Sequence, residues 1–414
     1  MQSRTSPFRV IDGGICAAEG FRAHAVACGI KNPTKLRLDL ALVHADSPCS
    51  TAAAFTTNKV KAAPVRLCQA HLRAADVRAF IVNSGNANAC TGPVGMKDAK
   101  TMAVLTAREL GLRPSQVLVA STGIIGVPMP MDRITPKIPE LSRGLSRAHP
   151  AAAAEAIMTS DTRPKSIAIE VTIGQHTIRI GGIAKGAGMI SPSMGTMLCF
   201  ITTDCAISQA LLKTCVNDCV QNSFNRITID GDTSTNDTVI VMASGRAGNR
   251  RISTTGQHYE TFRSALEWLM LQLARMIVAD GERVTKFVEI HVKGAATHMD
   301  ARKVAETVAN SLLVKCSWNG GDPNWGRVMH AIGYSRARIQ EELIEIYFDG
   351  HIATRNGIAA GTPIDILRKA VAKPEFRVTI DLNLGEATYT VYTSDLSQEY
   401  VDFNRTEYAA PVQP

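Results

Sequence analysis

The stretch that most limits how this chain can fold is 185–203, KGAGMISPSMGTMLCFITT. A lysine, two glycine-rich turns and a proline kink give way abruptly at Thr196, and residues 197–201 are all apolar. So short an apolar run fits a strand buried on both faces better than a surface helix, whose apolar residues would recur every three or four positions. Thr196 therefore stands at the mouth of a core strand. Gly195 before it has no Cβ, so the Gly195–Thr196 peptide can take backbone angles that other residues resist. A strained peptide whose carbonyl faces a neighbouring hydroxyl can pass its acyl group from nitrogen to oxygen and then hydrolyse, leaving Thr196 as a new N-terminus. Such a threonine carries its own base, because an α-amine titrates near ~8 and lies within reach of the hydroxyl. Local pattern alone favours the simpler account of a Gly-Thr turn entering a core strand.

The flanking sequence sets that strand in a layered α/β (α+β) fold. Alternating apolar segments at 38–44, 77–83 and 117–121 read as strands, and 97–110 as a helix closed by Gly111. An Ala-rich helix at 151–158 breaks before Pro164, and strands at 166–172 and 176–180 lead into the central stretch. Beyond it, 208–223 and 260–279 carry apolar residues at helical spacing. Strands FVEIHV, IEIYF, FRVTIDL and ATYTVYT, with a helix at 300–311, form a smaller lobe. With 414 residues, 45% of them apolar, the chain can support a catalytic core over 1–284 and that lobe over 285–414.

Several positions invite chemistry. Ser121-Thr122-Gly123 follows a strand and offers a hydroxyl beside a glycine backbone, a set that could face a developing oxyanion; a plain strand-ending turn accounts for it as well. Ser121 is a weak candidate for a serine-hydrolase nucleophile, because the G-x-S-x-G elbow is missing. The NSGNAN segment at 83–88 reads as a turn whose side chains bond their own backbone. Lys185 lies among Gly181, Gly182, Gly186 and Gly188, which is no phosphate loop, since the G-K-[ST] ending is absent. Asp230, Asp232 and Asp237 do not match an EF-hand spacing, so a strand–turn–strand with side chains bonded to the loop is the better account, and no metal is expected. Asp322 to Arg327, DPNWGR, reads as a rigid structural turn as much as a site.

Other function classes find little support. The net charge of +8 arises from 45 basic and 37 acidic residues without a basic tract, so nucleic acid is not an expected partner. Ten dilute cysteines make no disulfide framework, and Cys215 and Cys219 fall on an apolar helical stripe as core residues. No run reaches the ~18–20 apolar residues of a membrane helix and the first residues lack a signal-peptide core, so a cytoplasmic protein is expected.

The segments EGFRAHAVACGIK, AAFTTNKVKAAPV, IVNSGNANACTG, ASTGIIG, AIMTSDTRPK, FNRITIDGDTSTNDT, DGERVTKFVEI and GGDPNWGRV, with the central KGAGMISPSMGTML, closely resemble the ornithine acetyltransferase family, also called the glutamate N-acetyltransferase or ArgJ family. The resemblance covers nearly the whole chain. It implies a layered αββα-type sandwich of the self-processing N-terminal-nucleophile kind, cut into an α chain (1–195) and a β chain (196–414), assembled as α2β2. It implies acetyl transfer from N2-acetylornithine to glutamate through an acetyl-Thr196 ester, without a cofactor, with acetyl-CoA as a further donor in some members. By the same resemblance Thr122 and Gly123 form the oxyanion hole, Gly195 and Thr196 flank the cut, and Thr159, Lys185, Glu282 and Asn404 contact substrate alongside Thr196. The chain departs from the family pattern at Gly195, usually Ala, at Ser160, usually Thr, and at Arg283, usually Gly. The family's closing Ser or Thr falls at Ala409 or Ala410, so that contact is either lost or supplied by Thr406, and no residue is assigned to it. An N-terminal-threonine amidase or aminopeptidase, which gives its acyl group to water, is the competing enzyme class. A non-enzymatic binding or scaffolding protein would remain one uncut chain.

Overall fold

The computed structural model describes residues 6–34, 36–74, 76–191 and 197–407. Its centre is a six-stranded sheet in the order Arg9–Ile11, Lys165–Ile173, His176–Lys185, Leu198–Thr203, Thr238–Ala243, Ser50–Phe55. Leu198–Thr203 is the apolar run expected from the sequence, and every one of its residues is buried. Period-two alternation explains how one strand serves two cores. Leu198 and Phe200 face a second sheet, while Cys199 and Ile201 face helices.

The second sheet runs Phe21–Val26, Leu40–Ala45, Ala79–Asn86, Val117–Ile124. Its inner face supplies Phe21, Val43, Phe80 and Leu118 to the shared core. Phe80 stacks on Phe200 with ring centroids 4.4 Å apart, bridging the two sheets. Its outer face carries Leu42, Ile81 and Val119 against the helices Ala63–His71 and Gly92–Leu110. On the far side of the central sheet lie Gln209–Gln221 and Gln257–Ala279, the latter burying Phe262, Leu266, Leu269, Leu273 and Ile277. The layers are thus helix, sheet, sheet, helix. Large apolar side chains buried this fully contribute about 1.5–3 kcal/mol each.

A third sheet, built within 287–394 in the order Ile358–Ala359, His351–Arg355, Glu345–Phe348, Glu375–Asp381, Phe287–Ala295, Ala387–Ser394, has its own core around Val288, Ile290 and Trp318. Its opposite face is polar, with Arg377 on Glu289 at 2.7 Å and Lys293 on Asp381 at 2.7 Å. Cys215 and Cys219 pack in the main core with their sulfurs 3.9 Å apart.

Three local expectations are corrected. The helix after NSGNAN begins at Gly92 rather than 97, because Pro93 fits a first turn whose N–H groups lack partners anyway; Gly111 closes it at φ +65° as expected. DPNWGR is more than a turn: Asn324 accepts the Arg327 N–H at 3.1 Å and caps the helix Trp325–Gly333. The segment 227–237 is irregular and leads into a single strand, Thr238–Ala243, because its carboxylates and amides hold other elements instead of a partner strand.

Candidate active site

Lys185 ends the strand His176–Lys185 and pairs in register with Leu198, so it lies beside the start of the apolar strand. Its side chain is 2% exposed. The ammonium donates to Thr159 Oγ1 at 2.7 Å and lies 3.8 Å from Asp161 Oδ2. Asp161 also accepts from Lys165 Nζ at 2.6 Å and from the Gly186 N–H at 2.8 Å, and Lys165 continues to Asp280 Oδ2 at 2.6 Å. Buried cations and anions therefore alternate from Lys185 through Asp161 and Lys165 to Asp280, each satisfying the charge beside it. Burial alone would push the Asp161 carboxyl up, but Lys185, Lys165 and the Gly186 N–H together hold it well below the usual carboxylate range. Burial draws the Lys185 ammonium below its ordinary value, against the pull of Asp161, Glu282 and Asp237.

Glu282 follows the C-terminus of Gln257–Ala279, and its N–H donates to Ala187 O at 2.8 Å. That bond joins the helix end to the Lys185 turn. Ser160 Oγ donates to Glu282 Oε1 at 2.6 Å, and Asn404 Nδ2 to Oε2 at 3.1 Å. A Cβ at Gly188 would run into the Glu282 carboxylate and force it to move from its present partners. Arg283, where the resemblance leads one to expect a glycine, adopts φ +55°. Its guanidinium covers the Phe403 ring at 5.0 Å and its carbonyl accepts from Ser397 Oγ at 2.6 Å, so the helix Gln398–Glu407 is held with Asn404 over Glu282.

Thr122 and Gly123 lie at the end of Val117–Ile124, level with Ser84 and Gly85 of the parallel neighbour. Gly123 sits at φ +139°, and a Cβ there would overlap the Gly85 and Asn86 backbone. Asn83 accepts Ser121 Oγ at 2.6 Å, and the NSGNAN segment is corrected from a self-bonded turn: 83–86 complete the strand Ala79–Asn86, and although Asn83 bonds Asn86 O, Asn86 and Asn88 reach out to the carbonyls of Val127 and Gly95. Asn236 donates to Ser121 O at 2.8 Å and to Ala87 O at 2.6 Å. Its neighbour Asp237 accepts the Met197 N–H at 3.0 Å, so one dipeptide holds both the Thr122 strand end and the first residue described after the Gly195–Thr196 position. Asp230 accepts from Met189 and Ile190 N–H at 2.6 and 2.8 Å. The three aspartates weighed as a cation set thus work apart, with Asp232 exposed.

The structure brings Thr159, Lys185, Glu282 and Asn404 into one connected cluster and places Thr122 and Gly123 on a strand end tied to it through Asn236 and Asp237. Gly195 and Thr196 lie outside the described residues, as do Ala409, Ala410 and the Thr406 side chain. Sequence reasoning missed Asp161, Lys165, Asp280 and Asn236, and gave Ser160 no partner. The available signal was weak: charged residues just before a strand or just after a helix read as surface until the fold buries them.

A model of the ArgJ family matches residues 22–409. The arginine biosynthesis bifunctional protein ArgJ of Geobacter sulfurreducens is 49% identical over 387 residues, 93% of this chain and 98% of that protein. That of Symbiobacterium thermophilum is 46% identical over 396 residues, 95% and 98% of the two chains. Among solved structures, an ArgJ protein of Bacillus halodurans, 35% identical, matches 50% of this chain and 97% of its own with a TM-score of 0.49. Ornithine acetyltransferase of Mycobacterium tuberculosis, solved with ornithine, is 41% identical and matches 45% of this chain and 98% of its own with a TM-score of 0.41. A sandwich that gathers a buried ammonium, a buried carboxylate and a glycine-opened strand end is built as an enzyme. The chain belongs to the ArgJ family, and as a member it is an acyltransferase.

Proposed function

We propose that this chain cuts itself between Gly195 and Thr196 and then moves the acetyl group of N2-acetylornithine to glutamate through an ester on Thr196. The observation that carries the reading is the Lys185–Glu282 arrangement. Among the described residues no ion pair joins these two buried charges, because each is held by its own partners, Thr159 and Asp161 on one side and Ser160 and Asn404 on the other. A separated ammonium and carboxylate complement a small zwitterion with a carboxylate at one end and an ammonium at the other.

In this reading the freed Thr196 amine takes the hydroxyl proton while the oxygen attacks the acetyl carbonyl. Thr122 and Gly123 receive the oxyanion, ornithine departs, and the glutamate amine collects the acetyl group. Lys185, Glu282 and Asn404 hold the amino acid so that its amine, rather than water, reaches the ester. The two fragments would stay together after the cut, because their strands interleave: His176–Lys185 pairs with Leu198–Thr203, and Thr238–Ala243 with Ser50–Phe55. An α2β2 assembly is part of the same proposal. No described helix is long and apolar enough to cross a membrane.

Thr196→Ala tests the scheme. The expected result is one uncut chain on a denaturing gel and no acetyl transfer, whereas wild type gives two fragments. Processing that persists in Thr196→Ala would sink the proposal. Acetylornithine consumption that does not depend on glutamate would instead show a hydrolase, and the same assay with acetyl-CoA reads out a second donor.

A further inference from the structure

Thr159 and Ser160 are neighbours in sequence and serve the two opposite charges of the site. Thr159 Oγ1 accepts from the Lys185 ammonium at 2.7 Å, and Ser160 Oγ donates to Glu282 Oε1 at 2.6 Å. The Cα atoms of consecutive residues lie ~3.8 Å apart across a trans peptide, so a single peptide unit spans the gap between cation and anion. That dipeptide is itself pinned from several sides. The Arg37 guanidinium donates to the carbonyls of Met158 and Thr159 at 3.0 and 3.3 Å, Asp161 Oδ2 accepts the Thr159 N–H at 2.9 Å, and Asp280 Oδ2 accepts the Thr162 N–H at 3.1 Å. Glu282 is 7% exposed, with its own N–H on Ala187 O and Asn404 Nδ2 on Oε2. A carboxylate oxygen has room for a second donor, so Glu282 can take a substrate ammonium while Ser160 and Asn404 keep it in place.

We propose that Ser160 is a specificity-determining residue: together with Thr159 it sets how far Glu282 stands from Lys185, and so the carboxylate-to-ammonium span that the site accepts. The inference deepens the acetyl-transfer reading and rests on it. In N2-acetylornithine the α-nitrogen is an amide, so the carboxylate and the side-chain ammonium are the molecule's only charges, the first for Lys185 and the second for Glu282. Ser160 is a positioning residue, because it acts on the substrate through Glu282. Without the Ser160 hydroxyl the carboxylate keeps Asn404 but turns more freely about its last torsion, which has no sharp minima of its own. The span is then no longer fixed, and a substrate one methylene longer or shorter meets the anion nearly as well as ornithine does. The threonine that the resemblance leads one to expect at this position would carry the same hydroxyl.

The test uses processed enzyme at saturating glutamate with N2-acetylornithine, N2-acetyllysine, which is one methylene longer, and acetylated diaminobutyrate, which is one methylene shorter. Wild type should favour acetylornithine in kcat/KM by about 10-fold or more over either homologue, the usual worth of one methylene. Ser160→Ala should raise KM for acetylornithine about 10-fold with kcat moved less, as for loss of a hydrogen bond to a charged group. The same variant should shrink the preference for acetylornithine by at least ~3-fold. Ser160→Thr, which keeps the hydroxyl, should restore both. A substitution that merely loosened the fold would lower all of the kcat/KM values together and leave their ratios unchanged; that result overturns the proposal, as does a Ser160→Thr enzyme that behaves like Ser160→Ala. A wild type equally active on all of these substrates overturns it whether or not the Ala variant folds. If wild type takes no acetyl group from acetylornithine, the acetyl-transfer reading has failed; if it does and the ratios stay fixed in Ser160→Ala, that reading stands and this one falls.

Discussion

Replacing Lys165 with Met removes the cation shared by Asp161 and Asp280 while keeping the length of an apolar side chain. Both contacts are 2.6 Å, and Lys165 is 1% exposed. Breaking a buried pair by removing one partner costs about 3–5 kcal/mol, because the remaining charge is stranded in a poorly solvating interior. Here the stranding is partial. Asp161 keeps the Gly186 N–H and Lys185 at 3.8 Å, and Asp280 keeps Thr162 and a largely exposed Arg163 at 3.8 Å. The expected loss is therefore about 3 kcal/mol, the lower end of that range and a large part of a typical domain's stability of about 5–15 kcal/mol. The pH dependence identifies the cause. In wild type the Asp161 carboxyl is held below its unfolded value, so its stabilisation is complete above the ordinary value of ~3.9 and is lost as pH falls through the folded one. Without Lys165 that depression weakens, and protonation relieves the stranded charge. The gap between the two proteins should be widest near neutrality and narrow toward the ordinary carboxylate range. Urea unfolding of both proteins at matched pH, in the same state of processing, measures it. A loss below about 1 kcal/mol at neutral pH, or one equal at both ends of the range, would mean that the chain of charges contributes only volume.

Thr122→Ala should lower kcat for acetyl transfer by about 10²–10³ with little change in KM, as expected for a donor that serves the oxyanion alone; steady-state kinetics on processed enzyme decide it, and unchanged turnover would place the oxyanion elsewhere. Arg283→Gly relieves a left-handed residue, worth about 1–2 kcal/mol, and gives up a cation–π contact with Phe403 of about 0.5–1 kcal/mol. A stability change within about 1 kcal/mol by denaturation is the expected outcome, and a loss above about 2 kcal/mol would show that the contact, rather than the turn, governs this corner.

The sequence and the structure agree where a pattern repeats and part where a partner comes from far along the chain. Leu198–Thr203 was legible because five consecutive apolar residues can hardly be placed except between two layers, and Gln257–Ala279 because its apolar stripe recurs at helical spacing. Lys185 and Glu282 were found by resemblance and Gly123 by resemblance over a plausible turn; composition marked none of them. Lys165 and Asp280 lie 115 positions apart, and each has ordinary local neighbours, so only the fold shows that they form one buried pair.

The segment 227–237 shows the limit most sharply. Its aspartates, threonines and asparagines read as a loop that satisfies itself, and some of it does, as where Asn236 N–H meets Ser234 Oγ at 3.0 Å. The decisive bonds run outward instead. Asp230 holds Met189 and Ile190, and Asp237 holds Met197, which fixes both flanks of the Gly195–Thr196 position from one loop. A side chain that bonds its own turn and one that anchors a distant strand have the same composition and spacing. What separates them is burial: an exposed turn has no need of a carboxyl such as Asp237, which is fully buried with one oxygen on the Met197 N–H and the other without a donor among the described residues.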